Sequence, residues 1–300
     1  MQGPTGKKVV GAKIVSVRPS NAALSPPLPT VPATILLLDD ATGTLTTLIN
    51  STLLTAIRTA AGSALATQRL RSGKSTSSLA VFGAGMQGVQ HARHILHSFP
   101  SVTSVKIMNR SEPRALAARA SLAAEFGGRV ACISFEVVLL SDRPGVQAAV
   151  EGADVICLCT NSSEPLFDAG WLKEGAHING VGSFTPYMQE VDAGTVGRCD
   201  KVVLDSFEAL PVGDIAKALE AGAVKKEELV EVRRGDAAAA ANSVAVLTSH
   251  TTNKLLVTAI GAARGGAGEG ARGLHVLQVR RAGLPGHRSG GIPIGSAGGE

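Results

Sequence analysis

Apolar and polar residues alternate near the amino end of the chain and settle into a longer rhythm further on. Period two over residues 9–17, 33–38 and 45–49 predicts three strands. A Pro-rich loop, Ser25-Pro26-Pro27-Leu28-Pro29, parts the first two, and the turn Asp40-Ala41-Thr42-Gly43 leads into the third. Leu53, Leu54, Ile57, Ala61, Ala64 and Leu65 then recur at helical spacing, which predicts a helix over residues 52–70 capped by Asn50 or Ser51. Residues 71–77 read as an exposed linker, after which strands at 79–82, 105–108, 130–133, 154–160, 177–181 and 201–205 alternate with helices, among them 87–97 and 113–126. The expected fold class is α/β: a Rossmann-type doubly wound parallel sheet with a second, smaller α+β domain. Helical runs are expected at 237–241 and 253–263, and the Gly-rich stretch 265–300 reads as a disordered tail.

Composition narrows the picture. With 44% hydrophobic residues but only 3% aromatics, the core must be built from Ala, Val, Leu and Ile. The net charge of +5 comes from scattered residues without aromatic stacking platforms, so no nucleic-acid partner is expected, and the surplus suits an anionic small molecule. The four cysteines form no CxxC pair, and the run of Cys157 and Cys159 reads as a buried, reduced strand. The start, MQGPTGKKVV, lacks an apolar signal region, and no apolar run is long enough for a membrane span, so a cytoplasmic protein without membrane contact is expected.

The chemistry begins at residues 83–88, Gly83-Ala84-Gly85-Met86-Gln87-Gly88, between a predicted strand and a predicted helix. Gly83 allows a tight turn, Gly85 lets the backbone approach a pyrophosphate, and Gly88 lets helix and strand pack closely, while the helix N-terminus faces the anion. A glycine turn without ligand is the alternative. The second strand ends in Asn109-Arg110-Ser111, where an NAD-selective fold usually places an acid for the ribose hydroxyl. Arg110 and Ser111 would instead hold a 2′-phosphate, which favours NADP(H) with NAD(H) possible; a solvated loop arginine is the alternative. Thr160 and Asn161 follow the fourth strand of the sheet, beside the nicotinamide half.

Three residues are candidates for the reaction. Arg58 shares a helix face with Leu54, Ala61 and Leu65, so it needs an anion there, either a substrate carboxylate or an internal acid. Asp214, at the start of a helix over 215–219, is either its N-cap or a general acid/base. Lys13 on the first strand is either a substrate ligand or a solvated lysine. His91, His94 and His97 drift around one helix without an acidic partner, and no metal is expected.

In these stretches the chain resembles the ornithine cyclodeaminase/mu-crystallin family. The resemblance rests on LLTAIRTAA at 53–61 with SALA at 63–66, VFGAGMQG at 81–88, NRS at 109–111, ADVICLCTNSSEPLF at 153–167, GWLKEGAHINGVGSFTPYMQEVD at 170–192 and VGDI at 212–215. It implies a homodimer with an N-terminal substrate and dimerisation domain, here 1–76, an NAD(P)-binding Rossmann domain at 77–236, and a helical return at 237–264. It further implies that Arg58 and Lys13 hold a substrate carboxylate, that Asp214 transfers a proton, and that Gly182 joins the cofactor residues. The NRS tip looks like that of the NADPH-using reductases. Members also carry a longer segment before the strand at Val9, with a further substrate-binding arginine, and an F-[KD]-S-x-G segment that VLTSH at 246–250 does not preserve. The expected function is therefore an NADP(H)-dependent oxidoreductase on the C–N bond of a small amino or imino acid. An NAD-dependent ornithine cyclodeaminase and a catalytically impaired dinucleotide-binding protein are the alternatives.

Overall fold

A computed structural model describes residues 9–128 and 133–231, together with the backbone of Ala245–Leu247. The helical runs expected at 237–241 and 253–263 and the tail lie outside the described residues. Three antiparallel strands, β1 (Val9–Val15), β2 (Ala33–Asp39) and β3 (Leu45–Asn50), form a small sheet in that order, with Lys13 opposite Ile35. The turn between β2 and β3 is held by the Asp39 carboxylate, which accepts the N–H groups of Ala41 and Thr42, and Gly43 takes the positive φ of 69° that the reversal needs.

Helix α1 (Thr52–Leu70) follows, with Ser51 at the N-cap position as expected, but Asn50 supplies the capping chemistry by accepting the Thr52 N–H at 3.1 Å. The helix corrects the sequence reading of its core-facing side. Leu53, Leu54 and Leu65 are exposed, and the buried face is Thr55, Ala56, Thr59, Ala60, Ser63, Ala64 and Thr67. Small residues win that face because it lies flat against a second helix, and the buried hydroxyls are satisfied inside α1: Thr55, Thr59 and Thr67 each donate to the carbonyl four residues earlier.

The second sheet runs β4 (Ser78–Phe82), α2 (Met86–Ser98), β5 (Ser104–Asn109), α3 (Glu112–Phe126), β6 (Ser134–Leu139), α4 (Arg143–Gly152), β7 (Val155–Leu158), β8 (His177–Gly180), α5 (Ala193–Gly197), β9 (Val202–Leu204), α6 (Gly213–Glu220), β10 (Leu229–Glu231) and β11 (Ala245–Leu247). All pairings are parallel, in the order β10-β9-β11-β8-β7-β4-β5-β6. The chain grows outward from β4 to β6 and then returns to the other side of β4 at β7, so the strand order reverses between β4 and β7. Both faces are covered: Leu79 and Val81 pack with α2 and α3 residues such as Ile95 and Leu122, while Ala80 and Phe82 pack on the opposite side with Val146, Ile156 and Ile178. Burial on both faces explains the unbroken apolar reading of β4 and β7.

Three expectations change here. The strand read at 130–133 gives way to β6 at Ser134–Leu139, an edge strand whose exposed Ser134 and Glu136 broke the apolar run; residues 129–132 lie outside the described residues. Within the stretch read as a helical return, β11 enters the large sheet between β9 and β8. The linker is not exposed throughout, because Arg71 and Thr76 are buried: Arg71 donates to Thr76 Oγ1, to the carbonyls of Ser75, Asp154 and Gly175, and lies 3.8 Å from the Asp154 carboxylate. Burial alone would raise Asp154, but hydrogen bonds from Lys173, Ser77 and Ser78 hold it well below the usual carboxylate range. Among the described residues no helix is long and apolar enough to cross a membrane.

The α1–α2 contact contains a fully buried histidine. His91 lies 3.0 Å from Ser63 Oγ through Nε2 and 2.8 Å from the Gln87 carbonyl through Nδ1, which assigns the proton to Nδ1 and the acceptor role to Nε2. Burial lowers its pKa from 6.5 to about 4, against the opposing hydrogen bond to Gln87. An unfolded histidine binds its proton first, so acid favours the unfolded chain. Urea midpoints measured across pH are expected to fall between pH 6.5 and about 4, by up to roughly 3 kcal/mol in stability, and His91→Gln is expected to remove that part of the pH dependence.

Candidate functional site

Because every strand of the large sheet points the same way, the loops after β4, β5, β7, β8 and β9 gather along one edge. At its centre is the turn from β4 into α2. Gly83 has φ +100°, and a Cβ there would meet the Cys159 carbonyl oxygen at 2.5 Å; a Cβ on Gly88 would collide with the Gly83 carbonyl. Gly85 is the N-cap of α2, exposed, with open space around its Cα and no side chain capping the helix. The first N–H groups of α2 are therefore free of any side-chain cap at a backbone that an anion can approach, which fits the pyrophosphate of a dinucleotide. Gly83 N–H donates to the Met108 carbonyl and Cys159 N–H to the Phe82 carbonyl, so the ends of β4, β5 and β7 are tied together.

At the end of β5, Asn109 is turned inward. Its Oδ1 accepts the Ala84 N–H at 3.4 Å and its Nδ2 donates to the Ser111 carbonyl at 2.8 Å, so it braces the glycine turn. Arg110 is exposed, and among the described residues it makes one long hydrogen bond of 3.5 Å to Asn161 Oδ1, beyond the end of β7. Ser111 is the N-cap of α3 without a side-chain cap bond. The two side chains that would meet a 2′-phosphate thus stand at the open rim, with no carboxylate between them.

Beyond β7 the edge is built around a residue the sequence reading passed over. Glu190 is fully buried; Oε1 accepts from both Thr160 N and Thr160 Oγ1 at 2.7 Å, and Oε2 accepts from Gly182 N at 2.7 Å. Gly182 is a glycine because a Cβ would run into the Thr160 carbonyl oxygen and the Glu190 carboxylate. Inside the run GSFTPYMQEVD an acid reads as loop, and only its membership of that family-like run marked it.

Asp214 does not cap its helix. Val212 holds the N-cap position of α6, and Asp214 Oδ1 instead accepts the backbone N–H groups of Glu190 at 2.8 Å and Val191 at 3.1 Å. Its own N–H donates to Ser183 Oγ, and a hydrogen bond from the Ser183 side chain also reaches its carboxyl group. Burial pushes Asp214 up to about 6, against the opposing hydrogen bonds from Val191 and Glu190. Burial pushes Glu190 up to about 8, with the neighbouring Asp214 charge adding to the rise. A carboxyl group titrating near neutrality suits proton transfer.

Arg58 and Lys13 come together across α1 and β1. Burial, and then the Arg58 charge beside it, lower Lys13 to about 8. Burial also lowers Arg58, and Asp205, just past β9, opposes that shift, which puts Arg58 at the same sheet edge. Among the described residues the pair brings two cations to a half-buried place, an environment that suits a carboxylate. Asp205 was not singled out from sequence. The histidines of α2 are engaged elsewhere: His94 with the Gln90 carbonyl and His97 with Glu125.

Known proteins are similar to this chain in sequence and in fold. The sequence profile of the ornithine cyclodeaminase/mu-crystallin family matches residues 3–251. A Delta(1)-pyrroline-2-carboxylate reductase of Bacillus cereus is 30% identical over 226 residues, covering 75% of this chain and 65% of its own. The ketimine reductase mu-crystallin of Macropus fuliginosus is 34% identical over 207 residues, 69% of this chain and 60% of its own. The chain thus spans somewhat under two thirds of the length of these relatives. The Delta(1)-pyrroline-2-carboxylate reductase of Thermococcus litoralis, solved with NADH and L-proline, superposes with a TM-score of 0.70 at 27% identity, over 80% of this chain and 72% of that one. With the profile reaching from the first strand of the small sheet into the last strand of the large one, the chain belongs to the ornithine cyclodeaminase/mu-crystallin family.

Proposed function

We propose that the chain is an NADP(H)-dependent reductase of small imino acids. The observation that carries this reading is the half-buried Lys13–Arg58 pair, with Arg58 near Asp205 just past β9, on the same sheet edge as a buried Asp214 whose carboxyl is raised to about 6. Lys13 and Arg58 bind the substrate carboxylate and so orient the C=N bond. The Gly83–Gly88 turn would hold the reduced dinucleotide, which when bound would be the source of the hydride for the imine carbon. Asp214 holds the proton that goes to nitrogen, so that imine, hydride and proton balance to the amine. Residues 1–76 act as the substrate domain and 77–236 as the cofactor domain, and the reduced thiols of Cys157, Cys159 and Cys199 suit a cytoplasmic setting.

The preference for NADP(H) rests on the acid-free tip Asn109-Arg110-Ser111. Binding followed by cofactor fluorescence is expected to be tighter for NADPH than for NADH, and Arg110→Ala is expected to weaken NADPH by about tenfold while leaving NADH unchanged.

Turnover is expected with cyclic ketimines such as Δ1-piperideine-2-carboxylate, read as loss of NADPH absorbance; no turnover with a panel of such compounds overturns the reading. Arg58→Ala is expected to raise KM by about tenfold or more with cofactor affinity unchanged. Asp214 gives the pH dependence. Imine reduction needs its protonated form and declines as pH rises through about 6, whereas amine oxidation needs the carboxylate and increases over the same range.

We also propose a homodimer. Ile14, Leu45, Leu48, Leu53 and Leu54 are exposed on the small sheet and α1, and β3 is exposed along its whole length. Sedimentation is expected to give twice the chain mass, and Leu48→Asp is expected to shift it toward the monomer.

A further inference from the structure

Glu190 is not itself aimed at the open edge, yet four segments of that edge meet on it. Its carboxylate holds the end of β7 through the N–H and hydroxyl of Thr160 and the end of β8 through the N–H of Gly182. Its backbone N–H, with that of Val191, fixes Asp214 Oδ1, and its carbonyl accepts the N–H of Leu166. The collision that any side chain on Gly182 would make with Thr160 and Glu190 shows how closely these segments approach. A buried carboxylate is costly unless several donors meet it, and here three do. Nothing about packing alone requires an acid in this place, since an apolar residue of the same size would fill it.

We propose that Glu190 is a positioning residue of the reaction: it clamps the ends of β7 and β8 and, through the backbone N–H groups it anchors, fixes the carboxyl of Asp214 for proton transfer. The part that concerns catalysis rests on the imine reductase reading; the clamp itself does not. Glutamine cannot replace the carboxylate, because one of its two ends is an amino group that would face the donors of Thr160 or Gly182. Aspartate lacks the reach to hold both strand ends.

The test compares wild type with Glu190→Gln. Amide hydrogen exchange followed by mass spectrometry is expected to quicken by about tenfold or more in peptides containing Thr160, Gly182 and Val191, with the β4–α2 peptide unchanged. Unchanged exchange at Thr160 and Gly182 overturns the clamp, whatever the protein catalyses. Wild-type turnover of the ketimine panel decides the reductase reading separately. In active enzyme, Glu190→Gln is expected to lower kcat by about tenfold or more with the KM of the imino acid and the affinity for NADPH held within about twofold. The isotope effect from NADPH deuterated at the transferred position is expected to increase, a change that a smaller fraction of folded enzyme would not produce. Equal kcat and an equal isotope effect overturn the positioning role. Should Glu190→Gln fail to fold, Thr160→Val removes one hydroxyl donor at constant shape, and the same exchange and isotope measurements decide the matter with it.

Discussion

The close contact of α1 with α2 is what makes one site from two sheets. Arg58 rides on a helix that belongs by chain order to the small sheet, yet it faces Asp205 of the large one. That approach is possible because the buried side of α1 is Ala56, Ala60 and Ala64 together with threonines whose hydroxyls are satisfied within the helix. Larger apolar side chains on this face would hold the helices further apart, at the interaxial distance that leucines need. The buried hydroxyls add direction: Ser63 meets His91 of α2, and Thr67 meets Asn179 of β8. A helix that could slide on a greasy face is thereby held at one rotation and one height.

Charge at the edge follows from that placement. The cationic half, Lys13 and Arg58, comes from the small sheet and its helix, and the acidic half, Glu190 and Asp214, comes from loops of the large sheet. Each half is partly desolvated, which lowers the cations and raises the acids, so all four titrate nearer to neutrality than they would in water. A substrate with a carboxylate and an imine nitrogen presents the complementary arrangement, an anion for one half and a proton acceptor for the other.

The legible parts of the chain were those in which chemistry and local pattern coincide. The turn at Gly83 to Gly88 could be read because glycine is required there by positive φ and by close approach, both local needs. The strands β4, β5 and β7 could be read because burial on both faces leaves an apolar run. Reading failed where burial and polarity part company. Arg71 looked like a linker arginine, but it is buried on carbonyls of Asp154 and Gly175, far away in the chain. Leucines of α1 looked like core, but small residues took the core and left them outward. Asp214 could be read as a cap or as an acid/base, and backbone donors from Glu190 and Val191, not its own helix, hold it. Glu190 gave no local signal, since its three donors lie on two other segments.

By itself, then, the sequence determined the α/β alternation, the glycine turn and the acid-free tip at Asn109 to Ser111, along with the resemblance that pointed to Arg58, Lys13 and Asp214. These depend on residue type and on spacing over a few turns of chain, where backbone sterics and periodicity act. Only the tertiary structure decided which face of α1 is buried, that Lys13 and Arg58 meet, and that Glu190 joins β7, β8 and Asp214. Those outcomes turn on desolvation and on hydrogen bonds between segments remote in sequence. Neither has a local signature, because the energy of a buried charge is set by whatever the fold brings beside it.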